Sequence, residues 1–200
     1  MRRDTKQILL DKGLDAFFSK GYNNTGIQEV LAAAKVPKGS FYHYFRSKED
    51  FGVQVIEHYG AQSENFLREL FESDNGQTPL MRLRSFFDAG LEMCGSAKSI
   101  RGCLIGNMSQ EMGSLCPAFD KVLEHKWRTV RFYLSQCLSQ AREQGEIGNQ
   151  ESAEDLADFL INGWQGAMMR VKVVGSVEPL ENFIRLVFAR VIQVEQVQAA

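Results

Sequence analysis

Apolar residues recur at every third or fourth position through most of this chain, and no strand-like alternation of useful length interrupts them. Ile27, Val30 and Leu31 fall on one side of a short helix, and Thr25 followed by Gln28 three residues later forms a capping box that would open it. Ala32–Ala34 are small enough for another helix to cross closely. Pro37 cannot continue that helix but suits the first turn of the next, which carries Lys38, Ser40, Tyr42 and His43, with Phe41, Tyr44 and Phe45 as apolar anchors. Ser47 and Asp50 repeat the capping logic for a longer helix from about Lys48, on which Phe51, Val55 and Tyr59 share a face.

The same periodicity continues. The long helix fades near Ser73–Gly76, and Thr78-Pro79 restarts one that carries Leu80, Leu83, Phe87 and Leu91 as far as Gly95. A short helix is expected from Cys103 to Met112. Cys116-Pro117 opens a long one to Gly145, with Phe119, Leu123, Val130, Leu134, Cys137 and Ala141 inward. Ser152 with Asp155 caps the next, which runs to Val174 before Gly175. The last begins at Glu178-Pro179, and its Leu180, Phe183, Ile184, Val187, Phe188 and Val191 form a wide apolar stripe. The fold class is therefore all-α, with about nine helices. A helix, a short turn and a polar helix bearing basic and hydroxyl groups, as between Thr25 and Asp50, are the parts of a helix-turn-helix DNA reader.

Charge agrees with this division. Residues 1–48 hold nine Lys/Arg against four acids, a net of +5, whereas the other fourteen basic and twenty-one acidic residues leave −7. A basic head attracts phosphate, and its binding should weaken with salt; an acidic body cannot help hold DNA. The expected domains are 1–48, a three-helix DNA-binding head, and 49–200, a helical ligand-sensing and dimerisation domain. No apolar run of about 18 residues could span a bilayer. The N-terminal stretch lacks a signal-peptide core, so a cytoplasmic protein without membrane association is expected. Four cysteines without a C-x-x-C pair and three histidines give no zinc site, and no phosphate loop or other cofactor motif occurs.

The run KGSFYHYFRSKEDF, Lys38 to Phe51, resembles the DNA-binding signature of TetR-type bacterial transcriptional repressors. The resemblance implies DNA contacts at Thr25, Lys38, Gly39, Ser40, Tyr42, His43 and Lys48, mostly to phosphates, and Gln28 is a further candidate by its place early in the second helix. Packing inside the three-helix unit is the competing reading for Tyr42 and His43. For Phe41, Tyr44 and Phe45 it is the preferred one, since large apolar groups beside a reading helix usually form its footing. Gly163 and Gly166 would let another helix approach the penultimate one, and the stripe of the last helix is too broad for one neighbour. A homodimer through these C-terminal helices is expected, as the resemblance also implies, so that two heads meet a palindromic operator. Burial of the pair within one subunit is the alternative.

Among the cysteines, Cys103 stands out. It follows Arg101 and Gly102 at a helix start, where exposed amides and the helix dipole favour a thiolate. Cys137 lies on an apolar face and reads as core. The segments Ile100–Met112 and Gly166–Asn182 are similar to those of the N-ethylmaleimide-responsive, electrophile-sensing TetR subgroup. That similarity maps the sensor cysteine onto Cys103, with Lys172 as a candidate neighbour. Trp164 and Met168 are candidate pocket liners for a small-molecule inducer, with plain core packing as the alternative. The expected function is repression relieved when an electrophile or oxidant modifies Cys103. A repressor induced by a reversible hydrophobic ligand is the second reading. A cysteine enzyme or helical interaction module is the distant third, since no histidine lies near Cys103 in sequence.

Overall fold

The computed structural model describes residues 4–74, 76–96, 101–148 and 151–192. Its helices are α1 (Thr5–Lys20), α2 (Ile27–Ala34), α3 (Lys38–Tyr44), α4 (Lys48–Glu72), α5 (Pro79–Ser96), α6 (Leu104–Met112), α7 (Pro117–Glu143), α8 (Ala153–Val174) and α9 (Glu178–Leu186). A π-helical turn at Val187–Val191 follows α9. No strand occurs among the described residues, so the fold is all-α.

Two of the three expected caps form. Ser47 Oγ accepts from the Asp50 amide at 3.0 Å, while the Asp50 carboxylate reaches back to the Arg46 amide at 2.8 Å, so α4 starts at Lys48. Ser152 Oγ likewise accepts from the Asp155 amide at 3.0 Å and opens α8. The third expectation is corrected. Gly26, not Thr25, is the N-cap of α2, and no side chain caps that helix. Thr25 is buried, and its hydroxyl donates instead to the Gly21 carbonyl at 2.6 Å. The Gly21 carbonyl in the α1–α2 turn takes the Thr25 hydroxyl as its donor, which turns that group away from the α2 amides that a capping oxygen would accept from.

The chain packs as two compact units. One comprises the chain as far as Ser63 together with Cys103–Trp127; the other comprises the described residues of Glu64–Gly102 and those from Arg128 onward. The first is centred on Phe17, Phe41, Phe45 and Phe51, whose rings meet at centroid distances of 4.9–6.0 Å. Leu104, Ile105, Met108 and Met112 of α6 and Phe119 of α7 belong to the same core. Gly13 makes this possible, because a Cβ there would lie 2.3 Å from the Phe51 ring. Ala32 and Ala33, expected at a helix crossing, are exposed.

The second unit buries Leu83, Phe87, Leu134, Leu138, Leu160 and Val171. Here the expectation for the last helix needs correcting in part. Leu180, Ile184 and Val187 are buried within the subunit, and Phe183 fills the space over Gly163, where a Cβ would sit 2.6 Å from its ring. Gly163 thus admits the subunit's own α9. Gly166 faces open space, along with exposed Phe159, Met169 and Val173 on α8 and Leu186 on α9.

Candidate nucleic-acid interface and thiol site

The helix α3 is held from beneath and bare above. Phe41 and Phe45 are fully buried in the aromatic cluster and fix the helix by its footing, and Tyr44 is half-buried against it. Lys38, Gly39, Tyr42 and His43 are exposed and Ser40 is half-exposed. Lys38 and Tyr42 stand one turn apart on one face, with Gly39 and His43 beside them. Tyr42 keeps 58% of its surface in solvent, although its ring meets Phe41 edge-on at 5.4 Å. Gln28 is exposed on α2. Thr25 differs from the others: at 2% exposure it shapes the turn and shows almost no surface.

Lys48 opens α4 and is tied to the α1–α2 turn. Its ammonium donates to the Asn23 carbonyl at 3.3 Å and lies 4.5 Å from the Tyr22 ring centroid. Burial pulls its pKa down, and Glu111 partly opposes that shift. Glu111 itself was not singled out from the sequence. It is the lone acid of α6, and its two carboxylate oxygens accept from the successive amides of Tyr22 and Asn23 at 2.8 and 2.6 Å. Gly21, with φ of +80°, leaves room for it: a Cβ there would be 2.6 Å from the carboxylate. An acid isolated in an otherwise uncharged helix was the available signal.

Cys103 is the N-cap of α6, half-buried, with φ −90° and ψ 126°, and its carbonyl accepts from the Asn107 amide at 3.0 Å. The Tyr59 side chain of α4 meets it. Burial first, then the neighbouring Cys103, raises the Tyr59 phenol well above its ordinary value, so the hydroxyl stays protonated. One turn on along α4, Ser63 Oγ donates to the Tyr59 backbone carbonyl at 3.2 Å. From the sequence Tyr59 read only as one of three residues lining a helix face. The other thiols differ. Cys137 is buried, donates to the Pro79 carbonyl at 3.0 Å, and is pushed up to about 12 by desolvation, which makes it an inert core group. Cys94 is also buried, Cys116 is half-buried, and none of the four is disulfide-bonded.

The remaining candidates belong to the second unit. Lys172 is exposed in the last turn of α8, a favourable place for a cation. Trp164 is buried between Phe87 and Phe183, with centroids at 5.1 and 5.7 Å, and Met168 is buried on the same helix. Neither lines the open cleft of about 630 Å3 that Arg84, Leu91, Glu181, Ile184, Arg185, Phe188 and Ala189 form between α5 and the α9 segment. No group of residues able to hold a metal occurs among the described residues. No described helix is long and apolar enough to cross a membrane.

Comparison with known proteins accords with this geometry. Residues 9–53 match the profile of bacterial regulatory proteins of the tetR family, and residues 79–187 match the tetracyclin repressor-like C-terminal domain. The chain is 37% identical over 190 residues to the HTH-type transcriptional repressor DhaR of Mycobacterium sp. (strain GP1), covering 94% of this chain and 92% of that one. It is 39% identical over 179 residues to the transcriptional regulator AcuR of Cereibacter sphaeroides, covering 90% and 81%. The crystal structure of Escherichia coli NemR in its reduced form superposes with a TM-score of 0.88 at 32% identity, covering 98% of this chain and 100% of that one. These relatives are regulators of transcription, not enzymes. A bare polar helix on an aromatic footing, both domain profiles and full-length repressor relatives agree: the chain belongs to the TetR family of DNA-binding transcriptional repressors.

Proposed function

We propose that this repressor is switched by a thiol. As a homodimer it sets two α3 helices into successive major grooves of a palindromic operator, with Lys38, Gly39, Ser40, Tyr42, His43, Lys48 and Gln28 toward the duplex. Thr25 contributes by shaping the turn between α1 and α2. Phe159, Met169 and Val173 on α8 and Leu186 on α9 are apolar and solvent-exposed in the single subunit, which supports pairing of these helices with a second copy.

The observation that carries the switch is the position of Cys103. It caps α6 beside the Tyr59 hydroxyl, and α6 shares one hydrophobic core with the reading head. An α,β-unsaturated carbonyl would be attacked by the sulfur. A carbon–sulfur bond forms at the β-carbon, the π pair moves to the α-carbon, and the proton lost by the thiol ends there. The adduct enlarges a half-buried group at the α6 N-terminus, which must move α6 or the Tyr59 side chain of α4. Release follows if the modified form favours a head geometry unable to dock. The neighbouring Escherichia coli repressor was crystallised in a reduced form, which supports a redox-responsive reading here. Within the second unit, exposed Lys172 and buried Trp164 and Met168 are proposed as ligand-responsive residues for a small-molecule inducer.

The test is a gel shift on a duplex selected by the wild-type protein from a random library, with and without a maleimide. Wild type should be released and Cys103→Ser should stay bound. Release of both would remove Cys103 from the mechanism. A second reading has its own support. The α5–α9 cleft combines Arg84 and Arg185 with Leu91, Ile184 and Phe188, so it suits a reversible amphipathic inducer. Release by such compounds in Cys103→Ser would favour it.

A further inference from the structure

The turn between α1 and α2 is gripped at both ends of its peptide dipoles. The amides of Tyr22 and Asn23 point one way and meet Glu111, one oxygen each. The Asn23 carbonyl points the other way and meets the Lys48 ammonium. Successive amides beside a residue of positive φ form a concavity suited to an anion, and here a side chain from α6 occupies it. Charge-assisted bonds of this kind are among the stronger ones a folded chain makes. The grip joins residues 88 and 89 positions apart in sequence. Around it the Tyr22 ring packs edge-on to Phe17 and Phe119, at 5.5 and 4.9 Å. Thr25 closes the turn through Gly21.

We propose that Glu111 is a positioning residue for DNA binding: by holding the Tyr22–Asn23 amides it sets the turn against which Lys48 and α2 are aimed at the duplex. The ammonium of Lys48 spends one donor on Asn23 and keeps the others for phosphate. Displacing the turn displaces the ammonium. The same grip makes α6 the body that sets the head's geometry. Cys103 and Glu111 lie at opposite ends of α6, eight residues or about 12 Å apart along the helix. A tilt of α6 started at Cys103 therefore arrives at the head's turn. The aim of Lys48 rests on the DNA-contact reading above; the thiol trigger does not enter the test of Glu111.

The sign of one substitution separates positioning from charge. Removing a carboxylate near a DNA-facing surface should, by electrostatics alone, tighten binding. Glu111→Gln presents an NH2 group to one of two backbone donors and loses the grip, so positioning predicts weaker binding, by about ten-fold. Affinity would be measured on the duplex selected by wild type, across a series of salt concentrations. The log–log slope should also fall by about 0.9 for each phosphate that Lys48 no longer neutralises, which mere destabilisation of a folded fraction would not produce. Glu111→Asp keeps the charge but is one methylene too short to reach both amides, and it should weaken binding as well. Glu92→Gln, on α5, is the charge control and should bind as wild type does.

Hydrogen exchange reads the grip directly. The amides of Tyr22 and Asn23 should be protected in wild type and exchange faster in Glu111→Gln, with the melting midpoint recorded beside it. Unchanged or tighter binding in Glu111→Gln, wild-type binding by Glu111→Asp, or unchanged protection at residues 22 and 23 would each overturn the proposal. If wild type selects no duplex, the DNA-contact assignments fail and the positioning role falls with them. Release of Cys103→Ser by maleimide would remove the thiol trigger but leave the affinity effects of Glu111 standing.

Discussion

The two compact units have similar interiors and opposite exteriors. Each is built on edge-packed aromatics, Phe17, Phe41, Phe45 and Phe51 in one and Phe87, Trp164 and Phe183 in the other. The first shows solvent a polar helix, with Lys38, Tyr42 and His43 over a footing that is wholly buried. The second shows solvent Phe159, Met169, Val173 and Leu186. Apolar area in water is unfavourable, so it persists where a partner covers it. A polar surface on a rigid footing suits a partner that is itself charged and wet. The cores hold the units; the surfaces divide the work.

The sharpest way to break this comparison is to exchange interior for exterior. Phe51→Ala removes a ring from the fully buried head cluster and should cost about 3–5 kcal/mol in urea unfolding. Phe159→Asp, on the exposed α8 face, should leave the stability of a folded subunit within about 0.5 kcal/mol. Sedimentation should instead show the assembly shifted toward monomer. A large loss of stability at Phe159 without a change of assembly would assign that face to the subunit's own core.

A smaller effect is expected at the head's turn. Gly21 combines a φ of +80° with a carboxylate where a Cβ would stand. Gly21→Ala should cost about 1–3 kcal/mol in backbone strain, read from the shift in the unfolding midpoint. It should also release the Glu111 grip. At Gly166, by contrast, nothing of the same subunit lies within 4 Å of the added methyl group, so Gly166→Ala should leave the folded subunit intact, and any cost should appear in its assembly by sedimentation.

The smallest effect concerns pH. The Arg46 amide holds the Asp50 carboxyl below its ordinary value of 3.8; burial, the next largest effect, opposes it, and Gln54 and the Arg46 and Lys6 cations add smaller lowering effects. A carboxylate depressed in the folded state stabilises fully above the unfolded pKa and loses that contribution as pH falls through the folded one. The cap of α4 is therefore intact at neutral pH and weakens only below about pH 4. In an acid titration of the melting midpoint, Asp50→Asn should start lower at pH 7 and converge with wild type toward pH 2. Parallel curves would show that the carboxylate contributes nothing through its charge.

Helices and most of their ends were legible because capping and periodicity act over a few residues. Ser47–Asp50 and Ser152–Asp155 form as read, and Val30, Leu31, Phe51 and Val55 are buried as their spacing requires. Thr25–Gln28 carries the same pattern and does not cap, because a turn just before it supplies a competing acceptor. The broad stripe of the last helix was visible too. How it divides between the subunit's own Gly163 and the open surface depends on where α8 and α9 meet.

By itself the sequence determined an all-α chain with a basic head, a polar reading helix on aromatic anchors and a thiol at a helix start. Those features follow from local sterics, spacing and charge, which neighbouring residues settle among themselves. Only the tertiary structure decided that Glu111 grips the Tyr22–Asn23 amides, that Tyr59 meets Cys103, and that α6 shares a core with the head. Each joins groups more than forty residues apart in sequence. Such a bond forms only once packing has brought the groups together and removed the water that would otherwise satisfy them.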